Sequence, residues 1–79
     1  MNNCPWEKID DFGSLSEFER FVTWLKEQVA MAEAAEVEVV RPYLDATTFE
    51  EKWFKHLESG QVWRLVWPDY PFTGLFEPA

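Results

Sequence analysis

Seventy-nine residues carry 15 Asp and Glu against 7 Lys and Arg, a formal net charge of −8, and 18% of the side chains are aromatic. That length fits one domain spanning 1–79, and a chain that is 47% apolar can bury enough surface to offset its ordering entropy, which argues against intrinsic disorder. Apolar runs fall far short of the ~20 residues needed to cross a hydrocarbon core, and the amino end (MNNCPWEKID) lacks a basic region followed by an apolar one; a soluble cytoplasmic protein with no membrane partner is expected.

Residues 1–13 are expected to form an irregular arm, punctuated by Pro5, Asp10, Asp11 and Gly13. Trp6, Ile9 and Phe12 recur at every third position and can pin that arm to a core. Ser14 and Ser16 each precede a glutamate by three positions, Glu17 and Glu19, so either can open a helix as a capping box. Phe18, Phe21, Val22, Leu25, Val29 and Ala32 share one helical face, and the alanine-rich stretch that follows extends the predicted helix from Leu15 to about Ala34. Val37 and Val39 then alternate with Glu36 and Glu38 before Pro42 blocks any ladder, which predicts a short strand over 37–41 with both glutamates toward water.

Thr48 with Glu51 as a capping box, the i,i+4 pair Glu51 and Lys55, and Gly60 beyond the end predict a second helix over 49–59. Its packing side would hold Phe49, Trp53 and Leu57. A strand is the alternative there, opposed by Glu50, Glu51 and Lys55, which break any clean alternation. QVWRLVWP reads as a central strand: Trp63, Leu65 and Trp67 project to one side, Val62, Arg64 and Val66 to the other, and both sides are largely apolar. Pro68, Pro71 and Gly74 mark a turn, after which Leu75 to Glu77 return as an edge strand ended by Pro78. The expected fold is α+β, with two helices packed on one face of a small, mostly antiparallel three-stranded sheet.

Catalytic chemistry is not legible. Cys4 is the one cysteine and His56 the one histidine, which excludes an intrachain disulfide and the usual Cys/His zinc cages. His56 reads as a boundary histidine of the second helix. Asp10 with Asp11 and Glu50 with Glu51 are sequence neighbours that point apart on helix or strand, so neither reads as a paired acid and base. Asp45 and Asp69 are explained by turns. We expect no enzyme, metal or cofactor. Trp63, Trp67 and Phe76 could offer a base-stacking platform, but Arg64 is the only base on that strand, and a chain this acidic is a poor grip for phosphates.

A partner surface remains. On the first helix Trp24 and Met31, seven apart, lie outside the core face on a stripe shared with Arg20 and Glu27. Such a tryptophan is either the rim of the core or an exposed anchor, and aromatics, Met and Arg are enriched at interface centres. Glu27, Glu33, Glu36 and Glu38 are expected to form an acidic patch beside it; the alternative is a solvated face that keeps a Trp-rich protein soluble. Carboxylates around an aromatic anchor suit a basic protein partner, because opposite charge speeds encounter and a buried ring slows release.

In size, acidity, Trp63, Trp67 and the Trp24/Glu27 surface together, the chain resembles the small acidic immunity proteins by which bacteria neutralise their own toxins. The likeness lies in overall character and involves no shared motif. It implies inhibition of a nuclease-type toxin at or beside its active-site cleft. Two other readings stay open: a phage-type inhibitor or nucleic-acid mimic, and a small accessory domain in which the Trp24 and Met31 stripe forms a homodimer.

Overall fold

The computed structural model describes residues 4–45 and 49–79 of the chain, so the capping role expected of Thr48 lies outside the described residues. The first helix, α1 (Leu15–Ala30), starts as its sequence predicts. Ser14 is the N-cap: its Oγ accepts from the Glu17 N–H at 3.1 Å, and the Glu17 carboxylate accepts from the Gly13 N–H at 2.9 Å. Amides on both sides of the cap are thereby satisfied.

The helix ends four residues before the expected Ala34. Met31 is the C-cap, Ala32 takes a left-handed φ of 59°, and the Glu33 N–H donates to the Gln28 carbonyl at 2.9 Å while the Ala32 N–H donates to Val29 at 3.1 Å. Those two bonds are a Schellman stop, with alanine in the position that favours glycine. Helix propensity is overridden because residues 34–37 pair into a sheet, a gain that outweighs a few tenths of a kcal/mol per alanine.

Four strands follow: β1 (Ala34–Val37), β2 (Glu51–His56), β3 (Val62–Val66) and β4 (Leu75–Pro78), in spatial order β1-β2-β3-β4 with every neighbour antiparallel. A short 3₁₀ turn, Tyr43–Asp45, lies between β1 and β2. The α+β class and the strands near 62–66 and 75–77 match expectation. The strand expected at 37–41 is shifted toward the N-terminus, because the ladder partners of β2 are Ala34 to Val37.

The helix expected over 49–59 is corrected to strand β2, so the sheet has four strands and carries one helix. Strand β2 lies inside the sheet with both faces covered: Phe54 and His56 point toward α1, and Trp53 points to the opposite side. Burial on two sides erases the period-of-two signal that would have marked a strand. Gly60, expected as a helix stop, instead sits in the β2–β3 hairpin with φ 77°, its N–H donating to the His56 carbonyl at 2.7 Å.

The core fills the space between α1 and the sheet, where Phe12, Phe18 and Leu25 meet Phe54, Trp63, Leu65 and Phe76. Trp63 and Phe76 stack at 4.8 Å, and Phe21 meets Phe76 edge-on at the same distance. The arm is pinned as its three spaced side chains suggested. Ile9 and Phe76 exchange backbone hydrogen bonds of 2.8 Å, and the Phe12 N–H reaches the Thr73 carbonyl at 3.3 Å, so the arm runs along the outer edge of β4.

A second, smaller layer covers the other face of the sheet. By register Glu51, Trp53, Arg64, Val66, Leu75 and Glu77 share that face. Tyr43, Phe49 and Phe72 form a ring cluster with centroids 4.9 to 6.1 Å apart. The Arg64 guanidinium joins that cluster to the sheet, 5.6 Å from the Tyr43 ring and 5.5 Å from the Trp53 ring.

Candidate partner-binding surface

Trp24 sits halfway along the outer flank of α1. Its ring meets Phe21 at 5.4 Å and Trp6 at 6.1 Å, and 38% of the residue faces solvent. It is therefore a rim residue on one side and an open indole on the other. Arg20, Glu27 and Met31 are also exposed, Met31 to 65%, so the stripe named from the sequence is continuous and solvent-facing.

Trp6, one of the three arm residues expected to pin to the core, supplies the support. It wedges between α1 and the sheet, with its ring 5.0 Å from His56, 6.0 Å from Trp63 and 5.7 Å from Phe76. Pro5, Trp6, Glu7, Lys8 and Ile9 from the arm and Phe21 and Trp24 from the helix line a shallow cleft of about 360 Å³. Recurrence at every third position in the arm was the available signal for Trp6; its partners lie 18 to 70 positions away in sequence and could not be read from it.

The acidic residues named with Trp24 do not form one patch beside it. Glu27 stays on the stripe, and Glu33 and Glu38 are exposed beyond the helix end. Glu36 instead lines a larger groove of about 560 Å³ on the opposite flank of α1, walled by Leu15, Phe18, Val22, Val29, Phe54 and Trp67. There its carboxylate lies 3.9 Å from the Lys52 ammonium. Because the helix stops at Ala30 and the chain reverses, glutamates beyond it do not continue the helical stripe.

Electrostatically the outside keeps nearly the whole charge excess of the composition. Thirteen of the 15 acids are exposed and six of the seven bases, so the surface carries a net −7. The remaining three charges lie on the second face of the sheet. Glu51, its side chain only 5% exposed, accepts from the Tyr43 N–H at 2.7 Å and the Trp53 Nε1–H at 2.6 Å. Arg64 Nε lies 3.1 Å from the same carboxylate without forming a hydrogen bond there, Nη1 is 3.6 Å from Glu77, and Nη2 donates to the Arg41 carbonyl at 3.4 Å. The helix assignment for 49–59 concealed this network, whose visible effect is to hold the Tyr43 turn on the sheet.

The remaining candidates from the sequence occupy structural positions. His56, 4% exposed, accepts at Nδ1 from the Ser59 N–H at 3.3 Å and lies 2.8 Å from Ser59 Oγ. Cys4 is a half-buried free thiol packed against the core margin. Asp10 pairs with Lys8 at 3.2 Å and Asp45 with Arg41 at 3.3 Å. Of Trp63, Trp67 and Phe76, weighed and set aside as a stacking platform, Trp63 and Phe76 are enclosed in the core and Trp67 is half-buried. Among the described residues no three His, Cys, Asp or Glu side chains converge as metal ligands would, and no helix is long and apolar enough to cross a membrane. Comparison with protein-family models, curated proteins and solved structures finds no match.

Proposed function

We propose that this chain is a non-enzymatic binding protein that neutralises a basic protein partner, of the kind an immunity protein provides against a nuclease-type toxin. The observation that carries the reading is the solvent-facing stripe of Trp24 and Met31 on a surface of net charge −7. A half-open indole backed by Trp6 is already held in place, so docking on it orders few new side chains. Glu27 on the stripe and the excess of carboxylates over the whole surface draw in a positive partner and are screened by salt. A nuclease cleft, built to attract phosphates, presents the matching charge.

The test is capture of proteins from the organism that encodes the chain, with wild type and Trp24→Ala in parallel, followed by assay of the captured protein's nuclease activity. The expected result is a basic protein whose activity the wild type suppresses. Removing a hot-spot ring costs about 2 kcal/mol or more, roughly 30-fold in affinity. Equal retention by Trp24→Ala, or retained proteins that are not basic, would overturn the proposal.

A further inference from the structure

The two edges of the sheet are finished differently. In the β1–β2 ladder the Leu57 N–H donates to the Glu33 carbonyl at 3.1 Å. With Ala34 opposite His56 and Val37 opposite Trp53, that bond sets the alternation: the Glu33 carbonyl and the backbone groups of Ala35 and Val37 are directed to β2, while Ala34 and Glu36 direct theirs away from it. The β2–β3 ladder agrees, since the His56 N–H donates to Gln61 and the Trp67 N–H to Glu50, so the even-numbered positions of β2 face β3.

At the opposite side of the sheet the equivalent outward groups are taken. The Phe76 N–H and carbonyl are both bonded to Ile9, and Pro78 has no N–H to offer. The arm thus closes the β4 edge and nothing among the described residues closes the β1 edge at Glu36. Exposed strand edges of this kind are templates for another strand.

The side chains along β1 and its continuation say which strand. Burial alternates from residue 35 to residue 39: Ala35, Val37 and Val39 are half-buried, and Glu36 and Glu38 are exposed. Glu36 projects on the α1 side, where it lines the groove; Ala35 and Val37 project to the other side. A strand added here would meet carboxylates on one face and small apolar side chains on the other. A second copy is the wrong occupant. Antiparallel self-pairings centred on Glu36 or on Val37 set Glu36 against Glu36 or Glu38, and directly opposed like charges destabilise a pair; the register centred on Ala35 sets Glu36 against Ala34 but runs Glu38 into the helix stop at Ala32.

We infer that the open edge of β1 docks an extended segment of alternating basic and apolar side chains from the partner by strand addition. The inference rests on the basic-partner reading above and names the part of the partner that binds. The segment's main chain takes up the outward amide and carbonyl of Glu36, its basic side chains face Glu36 and Glu38, and its apolar ones extend the row of Ala35, Val37 and Val39. Register follows from the charge pattern, because a slip of one residue sets apolar side chains against the carboxylates.

The experiment is amide hydrogen exchange on the full chain with a short synthetic peptide of alternating Lys and Val, and with its Glu/Val counterpart. With the Lys/Val peptide, exchange at the Glu36 amide is expected to slow by about tenfold or more while that at Trp53, already bonded within the sheet, stays unchanged. Glu36→Pro removes the outward amide without taking a bond from the β1–β2 ladder and should abolish binding; the double variant Glu36→Gln with Glu38→Gln keeps the amides and should weaken it about tenfold. Three results overturn the inference: no binding at millimolar peptide, equal protection by the Glu/Val peptide, or Glu36 protected without peptide in a chain that light scattering shows to be dimeric. Failure of the peptide with Trp24-dependent capture intact removes the β1 dock alone. Loss of capture with Glu36 protection intact removes the toxin reading and leaves the dock.

Discussion

Glu51 offers the sharpest energetic test of the second face. Glu51→Ala deletes the acceptor for the Tyr43 N–H at 2.7 Å and the Trp53 Nε1–H at 2.6 Å and removes the carboxylate 3.1 Å from Arg64. A hydrogen bond to a charged group contributes about 1.5–3 kcal/mol, and breaking a buried ion pair costs about 3–5 kcal/mol. These figures overlap, because one carboxylate serves all three partners, so they do not add. Arg64 keeps Glu77 at 3.6 Å and the Arg41 carbonyl at 3.4 Å, and its side chain is 16% exposed, which moderates the loss. The expected cost is about 3–4 kcal/mol, set against the ~3–5 kcal/mol of net stability that an unstapled core of this size supplies. Urea unfolding followed by tryptophan fluorescence should then show the variant partly unfolded without denaturant. Glu51→Gln keeps one carbonyl acceptor but turns an amide group toward the guanidinium, and should lose about half as much. A loss below about 1 kcal/mol for Glu51→Ala, at unchanged m-value, would refute the view that this carboxylate holds the Tyr43 turn to the sheet.

Two further predictions concern backbone conformation. Ala32, at φ 59°, occupies the helix-stop position that favours glycine; Ala32→Gly should stabilise the fold by about 0.5–1 kcal/mol, and a lowered thermal midpoint would contradict the assigned stop. Gly74 and Gly60 have similar positive φ, 81° and 77°. A Cβ at Gly74 would lie 2.9 Å from the Val66 carbonyl oxygen, however, while at Gly60 nothing comes within 4 Å. Gly60→Ala should therefore cost about 1 kcal/mol from the backbone alone and Gly74→Ala at least ~1 kcal/mol more; equal losses in denaturant titration would show that the packing against Val66 yields.

How far the chain could be read in advance varied with the range of the interactions involved. The start of α1 was legible because Ser14 and Glu17 satisfy amides within one turn. The strand at 62–66 was legible because a nearly unbroken run of apolar, mostly β-branched and aromatic side chains lies between Gly60 and Pro68, and the Trp24 and Met31 stripe because helical periodicity is local. The end of α1 was not, since the alanines from Ala30 onward favour helix until β2 is present to pair with Ala34 and Ala35. Residues 49–59 misled for the same reason: Glu51, Lys55 and Gly60 obey helix grammar, but here Glu51 takes donors from Tyr43 and Trp53, and Gly60 turns a hairpin.

By itself the sequence determined the character of the molecule: one small aromatic-rich domain, an excess of negative charge, a capped first helix and a central apolar strand. Tertiary structure decided where those charges lie and which backbone edge is left open. It sent Glu36 to the groove flank and Glu51 to the second face, and it closed β4 with the arm while leaving β1 unpaired. The physical reason is that composition and periodicity are sums over neighbours in the chain. Burial of a carboxylate, or a vacant place on a strand, depends on partners tens of residues away that meet only when the sheet forms.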